Sequence, residues 1–131
     1  MASIHREIEI AAPADVVWDV FRDIGAVHTR LARQYVVDTR LDGDSRVVTF
    51  ANGMVARERI VDVDDQRRRL AYGVVESEQL THHNASFEVV PDGDGKSRII
   101  WITDLLPNSM AGPITAMVDG GCDAIKKTLT R

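Results

Sequence analysis

The fold of this chain is decided by residues 107–131, which read PNSMAGPITAMVDGGCDAIKKTLTR. Pro107 and Asn108 can end a strand and cap a helix, and Pro113 suits a first helical turn. Apolar residues then recur at spacings of three and four, at Met110, Ile114, Met117, Val118, Gly121, Ile125 and Leu129. This spacing predicts a helix over Asn108–Arg131, with one face that must pack against other apolar residues.

Two glycines, Gly120 and Gly121, lie in the middle of this predicted helix. Each costs about 1 kcal/mol relative to alanine at such a position. Their presence predicts either a close approach of another group to the helix backbone or empty space beside it. Close packing is the commoner reason for a glycine inside a helix.

Six strand-like segments precede the helix and can cover its apolar face. Several are followed by strong turn signals, among them Asp42-Gly43, Asn52-Gly53 and Asp92-Gly93, which tolerate the positive φ of tight hairpins. The segments are Gln34–Leu41, Arg46–Ala51, Val55–Val63, Leu70–Glu76, His83–Val90 and Arg98–Leu106. Strands that follow one another in this way predict an antiparallel meander.

The N-terminal part adds a strand and two short helices. Ser3–Ile10 largely alternates polar and apolar residues, as a strand does, and Pro13 suits the first turn of a helix. A second short helix is predicted from Asp23, as its N-cap, to about Arg33. The order β-α-α-β6-α predicts an α+β fold in which a seven-stranded antiparallel sheet wraps around the C-terminal helix and encloses a cavity.

Composition excludes several classes of protein. The 131 residues, 44% hydrophobic and 27% charged, predict one soluble globular domain over residues 1–131. A net charge of −4 argues against a nucleic-acid surface. The single cysteine, Cys122, excludes an internal disulfide, favours a reducing compartment and is expected to be a buried thiol. No signal peptide or membrane span is recognisable, so the predicted location is the cytoplasm.

Neither a metal site nor a cofactor is predicted. His82 and His83 are adjacent on a strand and therefore point to opposite faces, and no third ligand is spaced to join them. The segment 92–95, Asp-Gly-Asp-Gly, has the chemistry of an acidic hairpin turn and not of a phosphate-binding loop.

Short motifs along nearly the whole chain point to a known family. They are Ala12-Pro13-Ala14-Asp15-Val16-Val17-Trp18, residues 58–65 (ERIVDVDD), Arg69-Leu70-Ala71-Tyr72, residues 82–87 (HHNASF) and residues 101–107 (WITDLLP). Together with the order of elements they resemble the SRPBCC superfamily, whose fold is called START-like or helix-grip. The closest likeness is to the bacterial polyketide cyclase/dehydrase and lipid-transport family. This resemblance implies an apolar cavity, but the fold serves binders, transporters, receptors, cyclases and hydrolases alike.

A similar layout in the plant abscisic-acid receptors of this superfamily indicates which side chains face inward. By that likeness Glu58, Tyr72 and His83 point into the cavity, and the loop at Asn52 and Met54 matches the receptors' gate, without the gate's proline. Strand alternation adds Ile60, Val74, Ala85, Phe87, Ile100, Ile102 and Asp104 to the same face. Met117 and Gly121 of the helix, and His28 of the second short helix, complete the predicted ligand-binding set.

The polar members of this set suggest chemical roles and also plainer alternatives. Glu58 is a general base or a ligand anchor, unless it alternates with its neighbours on an exposed edge. His83 and Tyr72 can donate or accept hydrogen bonds and protons, or can be ordinary core residues. Arg30 can hold a carboxylate or enolate oxygen, or neutralise Asp104 or Glu58, unless it is a surface arginine. His28 and Arg30 are two apart, so both point inward only near an irregular helix end.

Three functions follow. The favoured one is binding, or transport, of a hydrophobic small molecule such as a polyketide, lipid or aromatic metabolite, by a monomer or homodimer. The second is a cyclase or dehydrase in which Glu58 or His83 removes a proton α to a carbonyl, while Arg30 or Tyr72 stabilises the enolate. The third is a protein-interaction module.

Overall fold

A seven-stranded antiparallel sheet curves around one long helix in the computed structural model, which describes residues 2–130. The elements are β1 (Ala2–Ile10), α1 (Ala14–Arg22), a π-helical turn (Val27–Leu31), β2 (Val36–Asp42), β3 (Ser45–Phe50), β4 (Val55–Asp64), β5 (Arg69–Val75), β6 (His82–Pro91), β7 (Ser97–Leu106), a 3₁₀ turn (Asn108–Met110) and α2 (Ala111–Leu129). The strand order is β1-β7-β6-β5-β4-β3-β2. The predicted α+β fold is therefore confirmed; Arg131, placed at the end of the predicted helix, lies outside the described residues.

The second short helix is the element that differs most from its prediction. It is a single turn, Val27–Leu31, in which the Ala32 amide donates to the Val27 carbonyl five residues earlier. Asp23 is the residue at which α1 ends, and its carbonyl accepts the Ala26 amide. The prediction of Asp23 as the N-cap of a longer helix is therefore wrong, because the chain turns before a regular helix can begin.

Both mid-helix glycines of α2 allow aromatic side chains to approach the helix backbone. A Cβ atom on Gly121 would lie 2.9 Å from the ring of Trp101, and one on Gly120 would lie 2.9 Å from the ring of Tyr35. Such distances are shorter than van der Waals contact, so a larger residue at either position would force the aromatic ring to move. Close packing is thus the reason for both glycines.

The lone thiol, predicted to be buried, lies at the margin of the core. Cys122 is half-buried and packs against apolar residues of the core. Burial, with Asp119 next in importance, raises the pKa of this thiol to about 11, so it is protonated at neutral pH. Neither helix within residues 2–130 combines the length and apolar composition that crossing a membrane requires.

A third glycine, Gly73 of β5, lies against the backbone of β6. A Cβ atom there would be 2.7 Å from the carbonyl oxygen of His83, which is backbone and cannot rotate away. We therefore expect Gly73→Ala to lower the free energy of unfolding by about 1–3 kcal/mol, the usual cost of overpacking. Urea denaturation measures this change.

Gly112 of α2 provides the matched control, since nothing lies within 4 Å of a Cβ built there. Gly112→Ala should leave stability unchanged or raise it by up to about 1 kcal/mol, because alanine is the better helix former. Equal stabilities of the two variants would contradict the steric argument for Gly73.

Candidate ligand-binding site

A cavity of about 110 Å³ lies between α2, the π-helical turn and the concave face of the sheet. Most of its wall is apolar, for example Val27, Leu31, Val48, Ile114, Val118 and Ile125. Five adjacent strands each contribute one polar side chain to its lining: Arg46, Glu58, Tyr72, His83 and Thr103. A mainly apolar cavity with a few polar groups is typical of a small-molecule site.

Glu58 faces the cavity as predicted, but its partner was not anticipated. Arg46 lies directly opposite Glu58 in the β3–β4 pairing, and its Nε donates to Glu58 Oε1 at 2.8 Å. Arg46 is 3% exposed and Glu58 9%. Arg46 also donates from Nη1 to the Ile24 carbonyl at 3.3 Å, and its guanidinium carbon lies 5.6 Å from the centre of the Tyr72 ring. The two charges therefore form a buried pair in the cavity wall.

Tyr72 extends from β5 across β6 to reach β7. Its pairing partner on β6 is Ala85, whose short side chain leaves room for the tyrosine ring. Its hydroxyl oxygen accepts the indole N–H of Trp101 at 3.2 Å, and its ring stacks on Phe87. Burial, followed by the charge of Glu58, raises the pKa of the Tyr72 hydroxyl above its usual value, so the group is a neutral donor at physiological pH.

His83 is held in one tautomer by the backbone of the neighbouring strand. The amide of Val74 donates to its Nδ1 at 3.0 Å. Because a backbone amide can only donate, Nδ1 is the unprotonated nitrogen and the proton lies on Nε2. Burial lowers the pKa of His83 to about 4; the neighbouring His82 acts in the same direction and Asp104 opposes it. His83 is therefore a neutral side chain that offers one N–H to the cavity.

Four other predicted residues also line the cavity: Val74, Phe87, Met117 and Gly121. Ile60 and Ala85 pack in the core on the same side of the sheet without lining the cavity. The inward face predicted for β4, β5 and β6 is therefore correct.

The inward face predicted for β7 is wrong. Ile102 is 36% exposed, and Ile100 and Asp104 share its outer face, while Trp101 and Thr103 line the cavity. Asp104 accepts hydrogen bonds from Ser3 and Asn84 on that outer face. These bonds, that of Ser3 first, lower the pKa of its carboxyl group. The predicted alternation of β7 is one residue out of phase with the structure, and a shift of one residue moves every side chain of a strand to the other face.

The two polar residues predicted on the second short helix do not reach the cavity. Arg30 forms surface ion pairs with Asp19 and Asp23, each at 2.9 Å. His28 Nδ1 lies 3.0 Å from the hydroxyl of Thr39 and does not line the cavity. The prediction that Arg30 holds a ligand oxygen or neutralises Asp104 or Glu58 is wrong, and the alternative of a surface arginine is correct. The residue that neutralises Glu58 is Arg46.

The predicted gate lies beside the cavity and not in its wall. Asn52 and Met54 are exposed at the tip of the β3–β4 hairpin, where the Asn52 side chain accepts the Met54 amide at 2.9 Å. Phe50 and Ala56, on either side of this tip, do line the cavity, and Phe50 makes an edge-to-face contact with Tyr35. Tyr35 in turn donates its hydroxyl to the Met117 carbonyl at 2.8 Å. Phe50 at the end of β3 and Tyr35 just before β2 therefore form this end of the site, and the turn itself does not.

The sequence prediction missed Arg46, Trp101, Thr103, Tyr35 and Phe50 as lining residues. Tyr35 and Trp101 carried an indirect signal, since Gly120 and Gly121 predicted a close approach to the helix backbone. Within residues 2–130, no three His, Cys, Asp or Glu side chains lie close enough together to hold a metal ion.

Comparison with known proteins agrees with this architecture. A family model described as polyketide cyclase / dehydrase and lipid transport matches residues 1–130. An uncharacterised protein from Bacillus thuringiensis is 17% identical, with a TM-score of 0.85 and 98% of both chains covered. BexL, a di-domain ARO/CYC from the BE-7585A biosynthetic pathway, is 13% identical, with a TM-score of 0.82 over 98% of this chain and 46% of BexL. At these identities the likeness shows the fold alone.

A plant enzyme is more similar in sequence. A point mutant of norcoclaurine synthase from Thalictrum flavum, in complex with a transition-state analogue, is 26% identical. Its TM-score is 0.74, with 98% of this chain and 93% of that chain covered. No curated protein matches the chain. Because the family model covers nearly the whole sequence, this chain belongs to the polyketide cyclase/dehydrase and lipid transport family.

Proposed function

We propose that this protein binds a small hydrophobic molecule, about one ring in size, in the cavity between α2 and the sheet. The observation that carries the proposal is the cavity itself, about 110 Å³ with a mainly apolar wall. An engineered cavity of about 150 Å³ in another protein accommodates benzene. A monocyclic aromatic molecule therefore suits the space better than a folded polyketide or a lipid chain.

The polar groups of the site favour binding over acid–base catalysis. A general base or acid works best when its pKa is near the working pH. Burial moves the pKa of His83 down to about 4 and that of Tyr72 upward, so neither exchanges a proton readily near neutral pH. Glu58 is engaged by Arg46. These groups are suited to holding a ligand by hydrogen bonds.

A cyclase or dehydrase activity is the second candidate, and the family favours it. In that case Tyr72 and His83 would donate hydrogen bonds to an enolate oxygen, as donors in a low-dielectric site can. The base would then have to be Glu58, released from Arg46. Retained turnover of a poly-ketone substrate in a Glu58→Gln variant would exclude this role.

Iodobenzene tests the binding proposal, because its heavy atom quenches tryptophan fluorescence on contact. Trp101 lines the cavity, whereas Trp18 of α1 does not and donates its indole N–H to Asp65. We expect saturable quenching of Trp101, with a Kd on the order of 0.1–1 mM for so small a ligand.

The two tryptophans provide the control. Trp18→Phe should retain the saturable quenching and Trp101→Phe should lose it. Quenching that rises linearly with concentration, or that is equal in both variants, would contradict a bound ligand. Native mass spectrometry of protein taken from its own host would then identify the natural ligand.

A further inference from the structure

Two hydrogen-bond donors that find no acceptor among residues 2–130 lie in one wall of the cavity. We propose that the natural ligand is an uncharged molecule with a carbonyl oxygen, which accepts hydrogen bonds from the Tyr72 hydroxyl and from Nε2 of His83. This inference rests on the proposed binding function and adds to it the chemical class of the ligand.

The Tyr72 hydroxyl is the first donor. Its oxygen already accepts the Trp101 indole N–H at 3.2 Å, but its own hydrogen has no acceptor within residues 2–130. The side chain is 5% exposed, so bulk water does not readily supply one. A buried hydroxyl whose hydrogen stays unpaired is unfavourable, and the cavity is the place from which an acceptor can come.

The imidazole of His83 is the second donor. Its Nδ1 accepts the Val74 amide, which leaves the proton on Nε2, and Nε2 makes no hydrogen bond in the described part of the chain. The rings of Tyr72 and His83 lie on adjacent strands with their centres 6.0 Å apart, and both line the cavity. One carbonyl oxygen has two lone pairs and can accept from two donors.

Charge in the cavity disfavours an anionic ligand. Among residues 2–130, Arg46 is the only cationic side chain that lines the cavity, and it is already neutralised by Glu58 at 2.8 Å. Asp104 and His82, the other titratable groups that act on His83, lie on the outer side of the sheet. A carboxylate entering this site would leave water without a free counter-charge and would face the second oxygen of Glu58. A neutral carbonyl meets neither difficulty.

Three compounds of the same size and nearly the same planar shape test separately for the carbonyl oxygen and for the absence of charge. Acetophenone carries a carbonyl, α-methylstyrene carries a CH₂ group in place of its oxygen, and benzoate carries a carboxylate. Isothermal titration calorimetry with each compound should show acetophenone binding about five- to tenfold more tightly than α-methylstyrene, the gain expected from neutral hydrogen bonds. Benzoate should bind at least tenfold more weakly than acetophenone.

A variant then tests whether the Tyr72 hydroxyl causes the preference for acetophenone over α-methylstyrene. Tyr72→Phe alone frees the Trp101 indole N–H, which could itself donate to the ketone, so Tyr72→Phe is combined with Trp101→Phe. In the double variant the affinity for acetophenone should be only about twice that for α-methylstyrene. The remaining preference is due to the His83 donor, which the double variant keeps. Retained binding of α-methylstyrene shows that the double variant is folded.

The other tyrosine gives the matched control. Tyr35 already donates its hydroxyl to the Met117 carbonyl, so Tyr35→Phe removes a hydroxyl that no ligand uses. The ratio of acetophenone to α-methylstyrene affinity should stay at its wild-type value, whatever happens to both affinities together.

The outcomes are distinct. Equal wild-type affinities for acetophenone and α-methylstyrene would overturn the carbonyl inference and leave the binding function standing. Tightest binding of benzoate would overturn the assignment of an uncharged ligand. If none of the three compounds binds, both the inference and the binding function fail.

Discussion

Glu58→Gln should lower the free energy of unfolding by about 3–5 kcal/mol, because it leaves the buried Arg46 guanidinium without a counter-charge. Arg46 is 3% exposed and cannot lose its proton at any accessible pH. Glutamine keeps the size of the side chain and an oxygen that can accept from Nε, so the substitution removes the charge with little change in shape. Urea denaturation followed by circular dichroism measures the loss.

An exposed ion pair supplies the control for this prediction. Arg6 and Asp119 approach to 2.7 Å, but their side chains are 38% and 53% exposed. Asp119→Asn should therefore cost at most about 1 kcal/mol. A cost for Glu58→Gln as small as that of Asp119→Asn would show that water reaches Arg46 and that the pair is not buried.

A second variant shows whether the instability comes from losing the ion pair or from leaving one charge buried and unpaired. Removing both charges together, as in Arg46→Met with Glu58→Leu, leaves no buried ion behind. Replacing a buried pair by apolar residues of similar volume is often neutral or stabilising. The double variant should therefore be clearly more stable than Glu58→Gln, and a double variant that is equally unstable would mean that the pair itself stabilises the fold.

The arrangement of elements could be predicted from the sequence because local signals repeat. Turn pairs such as Asp42-Gly43 and Asp92-Gly93 mark the strand ends, and both contain a glycine at positive φ in the structure. The apolar spacing of 110–129 specifies one buried helical face. These signals depend on neighbouring residues only, so no tertiary information was needed to read them.

The face of β7 could not be predicted in the same way. Residues 99–102 read Ile-Ile-Trp-Ile, so apolar side chains lie on both faces of the strand. Alternation therefore does not reveal which face is inside. The structure buries Ile99 and puts Trp101 into the cavity wall, and Ile102 remains partly exposed beside β1 and β6.

The partner of Glu58 depended on the length of one loop. A two-residue turn at Asn52-Gly53 would pair Arg46 with Arg59 and place Glu58 opposite Val47. The hairpin instead has a three-residue loop, closed by the Phe50 amide donating to the Met54 carbonyl at 2.8 Å. This single extra residue shifts the register so that Arg46 and Glu58 meet. The Asn-Gly pair equally suits a two-residue turn, so it does not reveal this shift.

The second large effect is a pH dependence of stability that comes from His83. Its pKa is about 4 in the folded protein and about 6.5 in the unfolded chain, so the unfolded chain binds the proton more readily. Protonation therefore favours unfolding. The stabilisation due to neutral His83 is complete above about pH 6.5, and about 3 kcal/mol of it is lost as the pH falls from 6.5 to 4.

The hydrogen bond of His83 also indicates that protonation destabilises the folded protein. A proton on Nδ1 would face the Val74 amide, which is itself a donor, and the bond of 3.0 Å would be lost. Asp65, Asp104 and Asp119 have carboxyl pKa values lowered from 3.8, so the stabilisation they contribute is lost mainly below about pH 4. The interval from pH 6.5 to about 4.5 is therefore the one in which His83 should dominate.

His83→Gln is the decisive variant, because a glutamine oxygen can still accept the Val74 amide while the side chain cannot titrate. Unfolding free energies of wild type and variant, measured in urea between pH 7.5 and 4.5, should diverge in slope, with the wild type losing stability as the pH falls and His83→Gln losing much less. His82→Gln, at the exposed neighbouring position, should keep most of the wild-type slope. Parallel curves for wild type and His83→Gln would mean that His83 accepts a proton in the folded state as easily as in the unfolded chain, and that its imidazole is not held neutral against the cavity.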